Sequence, residues 1–293
     1  MSVKTILAPI TAHTQAQSTL ETAFLVARRF GSHVVGLHVR PAFKKQNLDV
    51  IMELAALSTS SPALREAFGS PVQLQDRDTL AAQELFERTC RYKDVRIANR
   101  PFQPSGISAA FKEIVGDGPE AIAEQARVFD LVVASQPKSD PGHILREILR
   151  SVLFHSGRPV LSVPALAPIS VGDSVLIAWN RSALSARAAA IARRYFEHAK
   201  RVGVLTVRAE HGKGPTAQEL VEYLSWHGID ATLIEAELGQ RRLGDVILDQ
   251  AAAFGADLLV MGAYSQSPFR ESLTRGVTNY ILSHAKISVL MTH

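Results

Sequence analysis

The feature that most constrains this chain is an internal repeat, because its two halves carry the same sequence plan. Six short segments of the first half recur in the same order in the second, which is hard to obtain by chance. The matched pairs are Ile6–Ile10 with Val175–Trp179, Ala27–Phe30 with Ala192–Tyr195, Val34–Val39 with Val202–Val207, Gly106–Phe111 with Gly228–Leu233, Asp130–Ala134 with Asp257–Met261, and Pro159–Val163 with Ile287–Met291. A repeat this long indicates two tandem domains rather than a solenoid.

Each half alternates short aliphatic runs with stretches of helical periodicity. The first-half runs are Ile6–Ile10, Val34–Val39, Leu131–Ala134 and Val160–Val163. Such runs are typical of strands buried on both faces of a parallel sheet. The predicted helices are Ala16–Phe30, Pro119–Val128, Ile144–His155, Ser182–His198, Ala217–Trp226, Leu243–Phe254 and Thr278–His284. The sequence therefore predicts an α/β fold of two tandem, doubly wound, mostly parallel five-stranded sheet domains.

A short connector with two prolines, Pro164–Ser170, separates the halves and predicts domains over residues 1–166 and 171–293. The first domain carries an insertion at about residues 40–105. The insertion includes the basic pair Lys44-Lys45. We expect it to form a short helix over Asp49–Leu57, a helix near Thr79–Tyr92 and a loop at Arg100–Pro104. A surface excursion with one extra helix is the favoured interpretation, and a lid over a ligand pocket is the alternative.

Composition excludes several classes of protein. The single cysteine, Cys90, rules out an internal disulfide framework and a cysteine-based zinc site. Lysine plus arginine exceeds aspartate plus glutamate only by 32 to 28, and the basic pairs are scattered, so no nucleic-acid partner is expected. No apolar run approaches the roughly 20 residues of a membrane span, and the first residues do not resemble a signal peptide. We expect a soluble, cytoplasmic protein without a membrane partner.

No catalytic or metal-binding set stands out. The ten histidines are scattered at spacings that do not resemble a metal site. The G-x-S-x-G pattern of hydrolases and the Walker pattern of phosphate-binding loops are both absent from the sequence.

A glycine-bearing segment follows the strand predicted at Leu258–Met261. Ligands of open parallel sheets bind at the carboxyl ends of strands, where this segment begins. Gly262 directly after the strand would let backbone and ligand approach closely. Gly276-Val277-Thr278 is predicted to open a helix whose N-terminal amides could hold a phosphate, with hydroxyl donors from Ser265, Thr274 and Thr278. A plain turn and helix cap is the alternative interpretation.

This segment resembles the nucleotide loop of the universal stress protein family. That loop reads glycine, two residues, glycine, nine residues, glycine, and then glycine, serine or threonine. Gly262 stands at the first glycine, Ser265 at the second and Arg275 at the third, followed by Gly276. The segments Val175–Ser182, Gly255–Tyr264 and Ser288–Met291 resemble the same family, so the likeness covers nearly all of residues 173–293. The first half resembles the family more loosely.

The resemblance implies a tandem universal stress protein with an adenine-nucleotide α-hydrolase-like fold. Two such domains pack as an internal pseudo-dimer through their last strands, near Val160–Val163 and Ser288–Met291. Pairing these strands would also remove an exposed sheet edge. The sequence leaves further association into a homodimer open.

Several positions depart from the family pattern. ATP-binding members carry an acidic residue at the end of the first strand, where this chain has Asn180 in the second half and about Thr11 in the first. Ser265 adds a side chain where backbone should approach phosphate, and Arg275 adds a cation that could favour phosphate or fill the site. The first-half loop, Ala134–His143, has lost most glycines, and Pro137 removes an amide donor. Nucleotide binding is therefore expected in the second domain only.

The leading prediction is a stress-response protein that acts as a regulatory module for ATP or another small ligand, without efficient catalysis. If ATP binds, Asn180 is expected to face the nucleoside. The residues expected around the phosphates are Gly262, Ser265, Arg275, Gly276, Val277 and Thr278. Two alternatives stay open: a weak ATPase or phosphotransfer enzyme at the same loop, although no metal-binding set is visible, and an interaction scaffold that binds no nucleotide and uses the insertion as its contact surface.

Overall fold

A computed structural model describes residues 3–10, 15–42, 71–99, 106–137, 144–208, 213–264 and 271–293. For residues 71–75 and 271–275 it describes the backbone only. Several predictions fall outside these ranges: the basic pair at 44–45, the helix Asp49–Leu57, the loop Arg100–Pro104, Thr11, Ser265 and the side chain of Arg275.

The described part of the first half contains six strands and four helices. They are β1 (Thr5–Pro9), α1 (Ala16–Phe30), β2 (His33–Pro41), α2 (Pro71–Tyr92), β3 (Arg96–Ile97), β4 (Ser108–Gly116), α3 (Gly118–Ala126), β5 (Leu131–Ser135), α4 (Ile144–His155) and β6 (Val160–Val163). The two-residue strand β3 lies at the sheet edge and adds to the five strands that the sequence predicted.

The described part of the second half repeats this order with five strands and four helices, as predicted. They are β7 (Ser174–Ala178), α5 (Ala183–Phe196), β8 (Arg201–Arg208), α6 (Ala217–Ser225), β9 (Ala231–Glu237), α7 (Leu243–Phe254), β10 (Leu258–Gly262), α8 (Glu271–His284) and β11 (Ser288–Thr292).

All eleven described strands form one sheet in the order β3-β4-β2-β1-β5-β6-β11-β10-β7-β8-β9. Neighbouring strands run parallel except at the centre, where β6 pairs with β11 in the antiparallel sense. The register there places Leu161 opposite Leu290 and Val160 opposite Met291. The expected pairing of the two last strands is therefore confirmed, and the former edges of both halves are buried at the centre of one sheet.

Helices cover both faces of the sheet. Residues from α1, α2, α5 and α6 form a hydrophobic core on one face, and residues from α3, α4, α7 and α8 form a second core on the other. In β1, Ile6 packs into the first core and Leu7 into the second, and both are fully buried. Strands with apolar side chains on both faces are what a sheet covered on both sides requires.

A repeated aspartate connects neighbouring strands at their amino ends. Asp130, just before β5, accepts hydrogen bonds from the backbone amides of Lys4 and Thr5 at 2.8 and 2.9 Å. Asp257, just before β10, accepts from the amides of Gly172 and Ser174 at 2.9 and 3.1 Å. The sequence match between these two segments therefore has the same structural cause in both halves.

The bounds of α1, α4 and α7 agree with prediction, but two helices begin more than a full turn earlier than predicted. Helix α2 starts at Pro71 rather than near Thr79, because proline is well tolerated in a first helical turn. Helix α8 starts at Glu271 rather than at Thr278. Gly276 therefore lies inside the helix, where a glycine costs about 1 kcal/mol relative to alanine but does not end it.

The connector between β6 and β7 exposes two apolar side chains, Leu166 at 84% and Ile169 at 99%. The domain boundary itself stays a prediction.

Candidate functional site

The chain leaves β7 and β10 on opposite faces of the sheet. These strands are neighbours, with Leu258 opposite Val175, but β7 leads into α5 on one face and β10 leads toward α8 on the other. A crevice opens at the carboxyl ends of two adjacent strands whose connections diverge in this way, and open α/β sheets bind ligands there. Residues 179–182 follow β7, and residues 263–264 follow β10.

On the β7 side, Asn180 is exposed and is held by the start of α5. Its side-chain oxygen accepts hydrogen bonds from the backbone amide of Ser182 at 3.2 Å and from the Ser182 hydroxyl at 2.6 Å. The Ser182 hydroxyl in turn caps α5 by accepting from the amide of Ser185 at 3.1 Å. The two hydrogen bonds to its carbonyl oxygen therefore fix the side-chain amide of Asn180 at the crevice.

On the β10 side, Gly262 packs against the first turn of α5. A Cβ atom at this position would lie 2.7 Å from the carbonyl carbon of Leu184 and 2.8 Å from the amide nitrogen of Ser185. The absence of a side chain here thus lets the strand end approach the helix. This packing role is a second reason for glycine, beside the ligand approach that the sequence suggested.

Tyr264, two residues later, is held in a left-handed conformation with φ of 53°. Its amide nitrogen lies 3.4 Å from the hydroxyl oxygen of Thr278, and its phenol donates to the side-chain oxygen of Asn279 at 2.9 Å. Burial raises the pKa of the Tyr264 phenol, which keeps the proton on this donor. Tyr264 could not be recognised from the sequence as a site residue, because nothing in a non-glycine residue type signals a positive φ.

The prediction that Gly276-Val277-Thr278 opens a helix is wrong. These residues follow the first turn of α8, and amides there bond to carbonyls one turn earlier. Thr278 is 2% exposed, Val277 packs against the second core, and Gly276 is exposed. Of the three, Gly276 presents backbone to solvent at this end of the helix.

The structure brings part of the predicted site together. Asn180 and Gly262 both contact the first turn of α5, and Tyr264 links the end of β10 to Thr278. Ser265 and the Arg275 side chain lie outside the described residues, so their predicted roles stay predictions.

Residues 214 and 215, which were not among the predicted site residues, also border the end of β7. The indole nitrogen of Trp179 donates to the carbonyl oxygen of Pro215 at 3.0 Å. A Cβ at Gly214 would lie 2.7 Å from the carbonyl oxygen of Arg181. The backbone of Arg181 is also left-handed, with a φ of 63°. Gly214 has a φ of 117°, which is rare for other residue types. Its glycine was therefore the feature of the sequence that could have indicated this contact.

The corresponding crevice of the first half is built differently. Ser135 occupies the position of Gly262, and its hydroxyl lies 2.6 Å from that of Thr19 on α1, with both residues buried. The next residue, Gln136, donates to the carbonyl oxygen of Ile287 in the second half at 3.0 Å. In the first half, a pair of hydroxyl groups between Ser135 and α1 thus takes the place of the close backbone contact that Gly262 makes with α5 in the second half.

Among the described residues, no group of three or more histidines, cysteines, aspartates or glutamates is placed to hold a metal ion. Within the same part of the chain, no helix has the length and apolar character needed to cross a membrane.

The fold defines a tandem, doubly wound α/β protein. The model of the universal stress protein family matches residues 2–164 and 231–293, and the chain belongs to this family. None of the curated proteins matches the chain.

Solved structures share the fold over the whole chain. A universal stress protein from Archaeoglobus fulgidus is 15% identical, with a TM-score of 0.66 and coverage of 99% of this chain and 96% of its own. A functionally unknown protein from Pseudomonas aeruginosa is 18% identical, with a TM-score of 0.53 and coverage of 99% and 92%. At these identities the likeness establishes the fold alone, and it confirms the predicted α/β architecture.

Proposed function

We propose that this universal stress protein is a regulatory module whose second half binds an adenine nucleotide between the carboxyl ends of β7 and β10. The observation that carries the proposal is strained backbone on both walls of this crevice. Arg181 and Tyr264 both have positive φ values without being glycine. Such conformations cost about 1–3 kcal/mol each and cluster at ligand sites, where the surrounding structure maintains them.

The chemistry of the walls fits a nucleotide. Asn180 is exposed beside β7, and its amide can hydrogen-bond a ribose or base. Gly276 offers backbone without a side chain on the α8 side, toward which the loop after β10 leads. The first half lacks the glycine after its strand and holds a Ser135–Thr19 hydroxyl pair there, which supports placing the ligand in the second half only.

Calorimetric titration of the full chain with ATP and magnesium tests the proposal. We expect about one equivalent of ATP per chain. Asn180→Asp should tighten ATP binding by up to about tenfold, because a carboxylate still accepts from Ser182 and forms stronger hydrogen bonds to ribose hydroxyls. A gain in affinity cannot be produced by partial unfolding of the variant.

Gly276→Ala probes the other wall. A Cβ there would meet no atom of the described residues within 4 Å, so weaker ATP binding would report a contact with the ligand. Gly118→Ala, at an equally open position in the first half, is the matched control and should leave binding unchanged. Absence of binding with ATP, ADP and AMP would overturn the proposal and favour an interaction scaffold, whereas steady ATP turnover would favour the enzymatic alternative.

A further inference from the structure

An aromatic cluster from both halves lies at the carboxyl ends of β10 and β11. The antiparallel pairing of β6 with β11 brings the end of α4, from the first half, beside these strand ends. The ring centroid of Phe154 on α4 lies 5.2 Å from that of Tyr264 and 4.3 Å from that of His293. We call Phe154, Tyr264 and His293 the seam cluster. Tyr264 belongs to the loop that leads from β10 toward α8, so the seam cluster borders the proposed nucleotide site.

The seam cluster contains a buried polar atom without a partner. The Nε2 atom of His293 is buried and makes no hydrogen bond within the described structure. Desolvation and the charge of Arg187 lower the pKa of His293, and they outweigh a hydrogen bond to the backbone of Tyr264 that raises it. A buried ring nitrogen without a partner carries a free-energy cost that a bound ligand or water relieves.

Cationic side chains approach the seam cluster from both halves. Arg187 on α5 donates to the carbonyl oxygen of His293 at 2.5 Å. Arg150 is exposed on α4, one turn before Phe154, and its charge acts on the Tyr264 phenol together with that of Arg146. Glu147 is the acidic side chain whose charge acts on the same phenol. Among the described charged side chains named here, three are arginines and one is a glutamate, so the described surroundings of the seam cluster are mainly cationic.

We propose that Arg150 and Arg187, at the seam cluster, form an anion subsite that receives the phosphate groups of the ligand. The first half thereby completes the site of the second. This inference rests on the proposed function, because it takes the phosphate chain of the ligand to point from the crevice toward the seam cluster. Two glycines of the family's loop are replaced here, by Ser265 and Arg275. Guanidinium groups form charge-assisted hydrogen bonds to phosphate, so Arg150 and Arg187 supply the cations that such a subsite needs.

Arg150→Gln is the direct test, because it removes the charge of an exposed side chain that makes no ion pair in the described part of the molecule. ATP affinity should fall about tenfold, as expected for one charged contact to phosphate, and AMP affinity should fall less. Adenosine affinity should not change. Arg88→Gln removes an exposed arginine from α2 on the opposite face of the sheet and should leave all three affinities unchanged. Equal ATP affinity in Arg150→Gln and the original chain would overturn the subsite.

Titration with inorganic tripolyphosphate separates this inference from the nucleotide proposal. Tripolyphosphate binding that Arg150→Gln weakens, without adenosine binding, would support the anion subsite and count against the nucleotide. ATP binding that Arg150→Gln leaves unchanged would support the nucleotide proposal and overturn the anion subsite. Absence of binding with both probes would overturn both.

Discussion

Gly262 and Gly276 belong to the same segment of the candidate site, but glycine is required only at the first. A side chain at 262 would collide with the backbone of α5, and backbone cannot move aside as a flexible side chain can. A side chain at 276 would meet nothing among the described residues within 4 Å, and it would lie on a helix. A family motif thus combines positions with different physical reasons for the same residue type.

We expect Gly262→Ala to lower the free energy of unfolding by about 1–3 kcal/mol, because of overpacking against Leu184. Gly276→Ala should be neutral or should raise it by up to about 1 kcal/mol, because alanine favours the helix. Urea denaturation of both variants measures the difference. Unchanged stability in Gly262→Ala would mean that α5 can move away from the strand. If the predicted loss is observed, failure of a Gly262 variant to bind ligand does not by itself locate the site.

At the scale of the element, helix α6 carries its own start signal. The hydroxyl of Thr216 accepts from the amide of Glu219 at 3.2 Å, and the Glu219 carboxylate accepts from the amide of Thr216 at 2.7 Å. The Glu219 carboxylate accepts from both the amide and the hydroxyl of Thr216, and these two hydrogen bonds lower the pKa of Glu219. This reciprocal capping box is encoded within four residues and explains why the predicted start of α6 agrees with the structure.

Thr216→Ala should destabilise the protein by about 1 kcal/mol, since it leaves an amide of the first turn without an acceptor. The measurement is thermal or urea unfolding at pH 7. Gln218→Ala, an exposed change in the same helical turn, is the control and should stay within about 0.5 kcal/mol of the original chain. Equal losses in the two variants would contradict a specific capping role.

At the scale of the whole molecule, Arg29 fastens the two halves together on the face of α1 and α5. It donates from α1 to the carbonyl oxygens of Gly172 at 2.7 Å and His198 at 2.6 Å. It also pairs with the carboxylate of Asp173 at 2.8 Å. The neighbouring Phe30 ring meets Tyr195 edge-on at 4.9 Å between centroids. Halves joined by the β6–β11 ladder are thus also joined by charge and aromatic contacts.

Stability should depend on pH through Asp173. The guanidinium of Arg29 and the ammonium of Lys200 lower the pKa of this carboxyl below its usual 3.8. A carboxyl with a lowered folded-state pKa stabilises the fold above its unfolded-state pKa and loses that contribution as pH falls through the folded-state value. Asp173→Asn should therefore be less stable than the original chain at pH 7, and the difference should close below about pH 4. Urea midpoints at several pH values measure this, and a difference that does not shrink as pH falls below about 4 would contradict the assignment.

Much of the fold could be predicted because burial leaves a local record. Apolar runs such as Leu131–Ala134 and Val160–Val163 indicated strands, and the bounds of α1, α4 and α7 followed from helical periodicity. The start of α8 could not be predicted, because Gly276 inside a helix looks like a helix boundary in sequence. The left-handed backbone of Tyr264 was also beyond prediction, since surrounding contacts impose it.

The sequence by itself determined the repeat, the order of strands and helices, and the family, because each depends on patterns within a few neighbouring residues. Only the tertiary structure decided which of those residues meet. Arg29 and Asp173 lie 144 positions apart, and Phe154 meets Tyr264 across the seam between the halves. Such contacts depend on the order of the strands within the sheet, as opposed to their order along the chain, and on how the helices cross the sheet. Local periodicity carries no information about that arrangement, so the contact between Phe154 of the first half and Tyr264 of the second emerged only from the fold.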